Sequence, residues 1–464
     1  MTTIYQAIMC GGEGKRLWPL SRRSLPKYYI PLADGESLFQ KAFQRCLLTS
    51  NIEDILLVTT VVNRHSALKQ ARAIIPDFPS ENLVLRPEGK ETFATLACAL
   101  GIMIDRGAKR DDVLICSPAD HVINDTLSYK QTLLKAAASA ARSLVTIGIK
   151  PTEPSSDFGY IAHKPTAVAN DVYEVQAFTE KPSTEQAKGF LLESNYLWNA
   201  GIYLGSLQVY LDEIRKNDAM TADLIERGAE AISNDFALLP EKSIDYEISI
   251  KAKHMLVVPA TFDWDDYGDF DSFIKAQGLR QNQAIFGGQN VTASTSSKLF
   301  VSVGVSDITV VQTRDALLVV HKSHTSNLSQ VVNSLKESNY DAVDHHYTGY
   351  RPWGTFEVID DASNYVVKKI TIDPGCMSSI QTHTRRSEHW VIVSGTAKVA
   401  LNDRTSLLHT GESLYVPPQA RHRIENPTAE PLVLIEVQTG SQLDEDDIKR
   451  EEDPYGSEHP TYFK

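Results

Sequence analysis

Gly11-Gly12-Glu13-Gly14-Lys15-Arg16-Leu17-Trp18-Pro19-Leu20-Ser21, with Pro26-Lys27 shortly after it, decides how the first part of this chain is read. It follows Ile4-Tyr5-Gln6-Ala7-Ile8-Met9, a short continuous apolar run that predicts a buried strand. Glycines just past a strand let backbone N–H groups close on a phosphate oxygen, and a helix starting there adds its positive end. Arg16 and Lys27 on either side of the turn can neutralise a triphosphate from two directions. The stretch is not a Walker A loop, because the Gly-Lys-Ser/Thr ending is absent. It also fails G-x-G-x-x-G, since Leu17 stands where the last glycine belongs.

Outward from this turn, apolar runs at 55–59, 82–85 and 112–116 alternate with helical patterns over 38–48, 64–75 and 92–106. Continuous rather than alternating apolar strands predict an α/β fold with a mostly parallel sheet covered on both faces, over residues 1–285. The pattern changes after Phe286. Short strands at 299–303, 308–312 and 316–321, closed by a helix at 328–336, predict a small β-rich unit over 286–339. The polar stretch 337–348 reads as a linker. Regular short strands from Tyr350 onward, at 365–372, 390–394, 397–401, 413–416 and 432–437, predict an all-β barrel or sandwich over 349–464. No repeat of 20–50 residues is evident.

The chain has 464 residues, with 46 basic against 59 acidic side chains and a net charge of −13. That balance argues against general binding of nucleic acid or anionic membrane, while leaving room for a local basic phosphate pocket. No apolar run approaches the roughly 20 residues that span a bilayer, and the first residues lack a signal peptide's basic and apolar regions. Cys10, Cys46, Cys98, Cys116 and Cys376 are scattered and odd in number, so neither a disulfide framework nor a Cys-x-x-Cys zinc site is expected. The expectation is a cytoplasmic protein without nucleic-acid or membrane partners.

With its continuation to Pro26-Lys27, the opening stretch resembles the sugar-1-phosphate nucleotidylyltransferases, most closely their mannose-1-phosphate guanylyltransferase branch. Four later segments resemble the same family in the same order: Ser117-Pro118-Ala119-Asp120-His121, Phe178-Thr179-Glu180-Lys181-Pro182, Trp198-Asn199-Ala200-Gly201-Ile202 and Trp264-Asp265-Asp266-Tyr267-Gly268. The resemblance implies a Rossmann-like domain with Arg16, Lys27 and Asp120 catalytic and Mg²⁺ on Asp120 and Asp266. It places the nucleotide on Gly11, Gly12, Gly14, Lys15, Lys90 and Glu91, and the sugar phosphate on Gly159, Glu180, Lys181 and Asn199. It further implies GTP and mannose 1-phosphate as substrates, GDP-mannose and pyrophosphate as products, and a homodimer. The residue types suit that chemistry. Two carboxylates at strand ends can hold Mg²⁺ between an α-phosphate and an incoming phosphate. Arg16 and Lys27 would offset charge on the leaving pyrophosphate, and Lys181 would hold the attacking phosphate in line. Glu13 and Lys15 depart from the family's small or hydroxyl residues, and Lys90 and Glu91 replace its Arg and Asn near the base, which leaves the base open.

In the C-terminal part, Gln381, His383, Glu388 and His422 invite a metal reading. Residues 381 and 383 on one strand face the same way. The spacing from Gly375 through Gly395 and from Gly411 through Asn426 resembles both cupin motifs, with Gln381 for the first His. Such donors suit Zn²⁺, Mn²⁺, Fe²⁺, Ni²⁺ or Co²⁺ without choosing among them. Arg351-Pro352-Trp353-Gly354, Ser387-Glu388-His389-Trp390 and Leu434-Ile435-Glu436-Val437-Gln438 resemble the type II phosphomannose isomerase domain found fused to guanylyltransferases. An isomerase of mannose 6-phosphate and fructose 6-phosphate is thereby implied, with Thr384 and Arg385 replacing two histidines, and Pro454 and Ser457 two arginines. Competing readings are a silent nucleotide-sugar sensor, a protein active only in its barrel, and a purely structural barrel. Because the linker is polar, a chain ending near Asn339 is expected to keep nucleotidyl transfer.

Overall fold

Apolar residues in unbroken runs bury strands on both faces. β1 (Ile4–Met9), β2 (Ile55–Thr60), β4 (Val113–Pro118) and β5 (Leu144–Ile149) form this way, while β3 (Leu83–Arg86), at the sheet edge, leaves Leu85 exposed. In β4, Val113 and Ile115 face a core with Val145 and Ile147, while Leu114 and Cys116 face a second core with Ala7, Leu56 and Val58. The computed structural model describes every residue except 1, 13, 88–89, 253, 279–282, 296–297, 339, 453 and 456–464. Glu13, Asn339 and Ser457, each singled out from the sequence, lie outside the described residues.

With β6 (Tyr160–Ala169), β7 (Val172–Thr179), β8 (Tyr196–Ser206) and β9 (Met255–Pro259), the described residues give a nine-stranded sheet of order β3-β2-β1-β4-β8-β5-β9-β7-β6. The β3-β2-β1-β4 side is parallel, whereas β8 runs antiparallel to both β4 and β5. β6 and β7 pair as a hairpin through Asn170 and Asp171, both at positive φ, which suits a tight turn on twisted strands. The α/β fold expected from the sequence is present, with more antiparallel pairing around β8 than the apolar runs suggest. Strand order reverses between β1 and β4, and the C-terminal ends of strands at such a reversal are where open α/β sheets bind ligands. Cys10–Gly12 leave β1 there, and Ala119–Val122 leave β4. No described helix is long and apolar enough to cross a membrane.

The chain divides into two compact units, Met1–Glu13 with Lys27–Arg280, and Gly14–Pro26 with Gln281–Lys464. In the second, Gln283 pairs with Phe300 and Thr292 with Thr309, both in parallel and both at an offset of 17 residues. The chain therefore coils once in that interval, a period the sequence does not display because main-chain pairing sets it. The helix Leu328–Glu337 follows. The stretch beyond it does not behave as a free polar linker: Val343 and His346 are buried, and Ala342 and Asp344 accept hydrogen bonds from the Gly14–Pro26 segment.

Among the described residues, the barrel has a six-stranded sheet that includes Arg386–Ser394 and Leu432–Gly440, and a five-stranded sheet that includes Gln381–His383 and His422–Glu425. Alternation sends Arg386, Glu388, Trp390 and Ile392 inward from one strand, and Leu432, Leu434, Glu436 and Gln438 from its neighbour. Trp390, Ile392, Leu432 and Leu434 belong to the apolar core, and Glu388, Glu436 and Gln438 form a polar inner end.

His346 gives the second unit a pH dependence. Burial, followed by the charge of Arg22, pushes its pKa from 6.5 to about 4, and the Thr348 N–H donates to its Nδ1 at 3.0 Å. A depressed histidine pKa means that the unfolded chain takes up the proton first. Its contribution is complete above pH 6.5 and is lost as pH falls toward 4. Thermal unfolding at a series of pH values should show a falling midpoint between these limits, and His346→Gln should flatten that fall. An unchanged acid slope in the variant would remove His346 as its source.

Candidate functional site

Two loops meet at the end of β4. Val122 and Asp265 exchange backbone hydrogen bonds of 2.8 and 3.1 Å, bringing Asp120 and Asp266 into one place. Lys27 joins them: its Nζ lies 2.9 Å from Asp120 Oδ2 and donates to the Asp266 carbonyl at 2.5 Å. Asp266 Oδ1 accepts the Gly268 N–H at 3.0 Å, and Asp265 Oδ1 the Tyr267 N–H at 2.7 Å. These bonds hold Tyr267 in the left-handed region at φ 43°, an uncommon conformation for a bulky residue. Burial raises the Asp120 carboxyl, but the charges of Lys27 and His121 and the hydrogen bond from Lys27 together outweigh it and carry the pKa below the usual value. Asp266 goes the other way, raised by burial and by the neighbouring charges of Asp120 and Asp265 despite Lys27. A divalent cation would relieve that repulsion, and the all-oxygen donor pair fits Mg²⁺.

A second cluster lies where β6 and β8 pair. Asn199 N donates to the Gly159 carbonyl at 2.8 Å. A Cβ on Gly159 would come within 2.6 Å of Glu180 Oε2, so only glycine allows that carboxylate its place. Burial and the nearby Asp245 raise the Glu180 pKa. Asn199 Nδ2 donates to Asp245 Oδ1 at 2.7 Å and to Tyr203 OH at 2.8 Å, and the Tyr203 hydroxyl donates to Asp245 as well. The structure therefore brings Gly159, Glu180 and Asn199 together. Lys181, at φ 45°, is exposed, with its Nζ 3.7 Å from Glu180 Oε1.

The residues expected at the nucleotide divide between the two units. Gly11 and Gly12 are in the first, where Arg86 NH2 would be 3.2 Å from a Cβ on Gly11. Gly14, Lys15 and Arg16 are in the second, where Gly14 takes φ 64° and Lys15–Leu17 form a 3₁₀ turn. Lys90 is committed elsewhere, donating to Glu241 Oε1 at 3.1 Å and to the Ala237 carbonyl at 3.2 Å. Glu91 sits at the N-cap of the helix Thr92–Asp105 without capping it through its side chain.

In the barrel, ligand atoms of His383, Glu388 and His422 all lie within 4.8 Å of one another, and all three residues are buried. His383 Nε2 is 3.0 Å from Glu388 Oε1. His422 Nδ1 faces the Ala420 carbonyl at 2.9 Å, and a proton there leaves Nε2 to bind a metal. Burial raises Glu388, but His383, His422 and Arg386 together hold it well below the carboxylate range. Glu436 is pushed up to about 8 by burial and by the charge of Glu388. Trp390 Nε1 donates to both carboxylates, at 3.1 and 3.0 Å, and Gln438 Nε2 likewise, at 3.3 and 2.7 Å. Gln381 lines the same cavity, while its Nε2 donates to Ser379 Oγ at 3.1 Å. The nitrogen and carboxylate donors fit a divalent transition metal.

Comparison with known proteins gives three matching family models. Residues 5–283 match the Nucleotidyl transferase model, 287–335 the MannoseP isomerase/GMP-like beta-helix domain, and 338–453 Mannose-6-phosphate isomerase C-terminal. The alginate biosynthesis protein AlgA of Pseudomonas aeruginosa is 35% identical over 97% of this chain and 96% of its own. Mannose-1-phosphate guanylyltransferase RfbM of Salmonella typhimurium is 33% identical over 97% of each. The chain belongs to the mannose-1-phosphate guanylyltransferase family. A crystal structure described as mannose-1-phosphate geranyltransferase from Thermus thermophilus is similar with a TM-score of 0.62 and 27% identity, over 72% of this chain and all of its own.

Several residues of this family member were not singled out as site residues from its sequence. Asp245 and Tyr203 complete the cluster around Asn199, and Trp390, Glu436 and Gln438 surround the barrel carboxylate. Glu436 and Gln438 carry a signal, since polar residues at inward positions of an otherwise apolar strand need a reason. Asp245 carries none, being an ordinary acidic residue 46 positions from its partner.

Replacing Trp390 with Phe removes a donor shared by the two barrel carboxylates and should weaken Mn²⁺ or Zn²⁺ binding by roughly 10–100-fold, as for other outer partners of metal ligands. His422→Ala should weaken it further. Isothermal titration of metal-stripped protein measures both, and wild-type affinity in His422→Ala would remove that residue from the site.

Proposed function

We propose that this chain transfers GMP from GTP to mannose 1-phosphate, giving GDP-mannose and pyrophosphate, and that its barrel interconverts mannose 6-phosphate and fructose 6-phosphate. The observation that carries the first activity is Lys27 held between Asp120 and Asp266 at the switch point of the sheet. Mg²⁺ on the two carboxylates would draw charge from the α-phosphate and make it more electrophilic. The chain's own groups do the rest. Lys27 and Arg16 offset charge on the departing pyrophosphate, and Lys181 binds the phosphate that attacks. Asn199, fixed by Asp245, Tyr203, Thr146 and the Gly201 N–H, would keep the β8 backbone in place beside the sugar. GTP is the nucleotide named because the relatives' names support it. A cytoplasmic homodimer is part of the same reading and rests on the family resemblance.

For the barrel, the position of the departures supports an isomerase. Thr384 and Arg385, which replace two histidines, are exposed in a turn stitched by Asp447, whose carboxylate accepts both of their N–H groups at 3.1 and 3.0 Å. They lie off the buried cluster of His383, Glu388 and His422, so their loss leaves the metal donors intact. A divalent metal there would polarise the sugar carbonyl for the proton transfer between C1 and C2.

A pyrophosphate-release assay of the purified chain, four nucleoside triphosphates against several sugar 1-phosphates with Mg²⁺, tests the first activity. GTP with mannose 1-phosphate should give the highest rate. Asp120→Ala and Asp266→Ala should each lower it roughly 10²–10³-fold, the loss typical of removing a transition-state stabiliser. No release from any pair would favour a nucleotide-sugar sensor.

A further inference from the structure

The segment Gly14–Pro26, which carries Lys15 and Arg16, folds as part of the second unit. Its centre is Arg22, whose side chain is fully buried. The guanidinium takes both oxygens of Asp315, at 3.1 and 3.2 Å, across 293 residues of sequence. It donates to the Pro19 carbonyl and lies near the Ser21 carbonyl at 3.4 Å, with its carbon 5.3 Å from the centre of the Trp18 ring. Ser21 Oγ in turn donates to the Gly14 carbonyl at 2.6 Å, and Leu17 N to the same carbonyl at 2.9 Å. Thr313 Oγ1 steadies Asp315 at 2.8 Å. Hydrogen bonds thus run from Asp315 through Arg22 to the turn that presents Lys15 and Arg16.

We propose that Asp315 is a positioning residue for nucleotidyl transfer, acting through Arg22 to hold the Gly14–Ser21 turn in its working shape. The proposal rests on the reading that this turn binds the nucleotide. A guanidinium buried without its carboxylate is strongly disfavoured, so loss of Asp315 forces Arg22 outward and opens the turn. Displacement of a binding group by about 1 Å can reduce a rate roughly 10²-fold. The anchors continue past residue 339: Trp18 Nε1 donates to the Ala342 carbonyl at 2.9 Å, Ser24 N to the Asp344 carbonyl at 3.1 Å, and His346 N to Ser24 Oγ at 2.8 Å. A chain ending near residue 339 loses all three. On this proposal, a chain cut there loses grip on the turn, whereas the polar composition of 337–348 suggests independence.

Two measurements on full-length Asp315→Ala and Asp315→Asn test this. Hydrogen exchange at the Leu17 and Ser21 amides reads the clamp without reference to activity, and should quicken at least about 10-fold in Asp315→Ala. In pyrophosphate release, the KM for the nucleotide should rise at least about 10-fold while that for sugar 1-phosphate changes less than about twofold. Asp315→Asn, which keeps an acceptor, should fall between. Metal binding by the barrel reports that the second unit is folded in each variant. Unchanged amide exchange overturns the proposal, as does faster exchange with an unchanged nucleotide KM. A general loss of fold would lower kcat and barrel metal binding together, and would overturn it too. If wild-type protein releases no pyrophosphate from any pair, it is the transferase reading that fails, and the positioning role fails with it.

Discussion

The ammonium group of Lys27 sits between two acidic loops, 2.9 Å from the Asp120 carboxylate and 2.5 Å from the Asp266 carbonyl, and the chemistry proposed for the first unit is built around it. Carboxylates brought together by two loops repel, and burial sharpens the repulsion. Lys27 meets the carboxylate of Asp120, which is lowered, but only the main-chain carbonyl of Asp266, whose carboxyl is raised by burial and by its acidic neighbours. The rest of the unit serves this arrangement. The reversal of strand order between β1 and β4 marks the place, the Val122–Asp265 pairing closes the two loops on each other, and the left-handed backbone at Tyr267 turns Asp266 into place.

What was legible in the sequence is what depends on near neighbours. β1 is an unbroken apolar run and lies where the run predicts, and the helix Leu38–Cys46 falls within the helical pattern at 38–48. The motif residues around Asp120, Asn199 and Asp266 could be read because their types and order resemble a family, and the barrel donors because their spacing does. Long-range pairing was not legible. Nothing near Arg22 points to Asp315, and nothing near Asn199 points to Asp245. The polarity of residues 337–348 suggested a free linker because composition does not reveal that Ala342 and Asp344 accept hydrogen bonds through their main chain. The coil of 17 residues was hidden for the same reason.

The barrel applies a similar principle with different donors. Its inner end gathers Glu388 and Glu436 under two shared hydrogen-bond donors, Trp390 and Gln438, with His383, His422 and Arg386 on the other side of Glu388. Packing apolar residues at one end and buried charge at the other lets a single strand serve both core and site. In the barrel a buried carboxylate pair, and in the first unit a half-buried one, is kept in place by a small number of fixed donors, a setting in which a bound cation has a large effect.

The most direct test of this account is single-turnover guanylyl transfer by Lys27→Met, a substitution that keeps most of the side chain's length and removes its charge. The chemical step should slow by roughly 10²–10³-fold with GTP and mannose 1-phosphate saturating, in a protein whose thermal unfolding is close to wild type. A rate within about threefold of wild type would show that the two carboxylates work without the lysine between them, and would contradict the central place given to it.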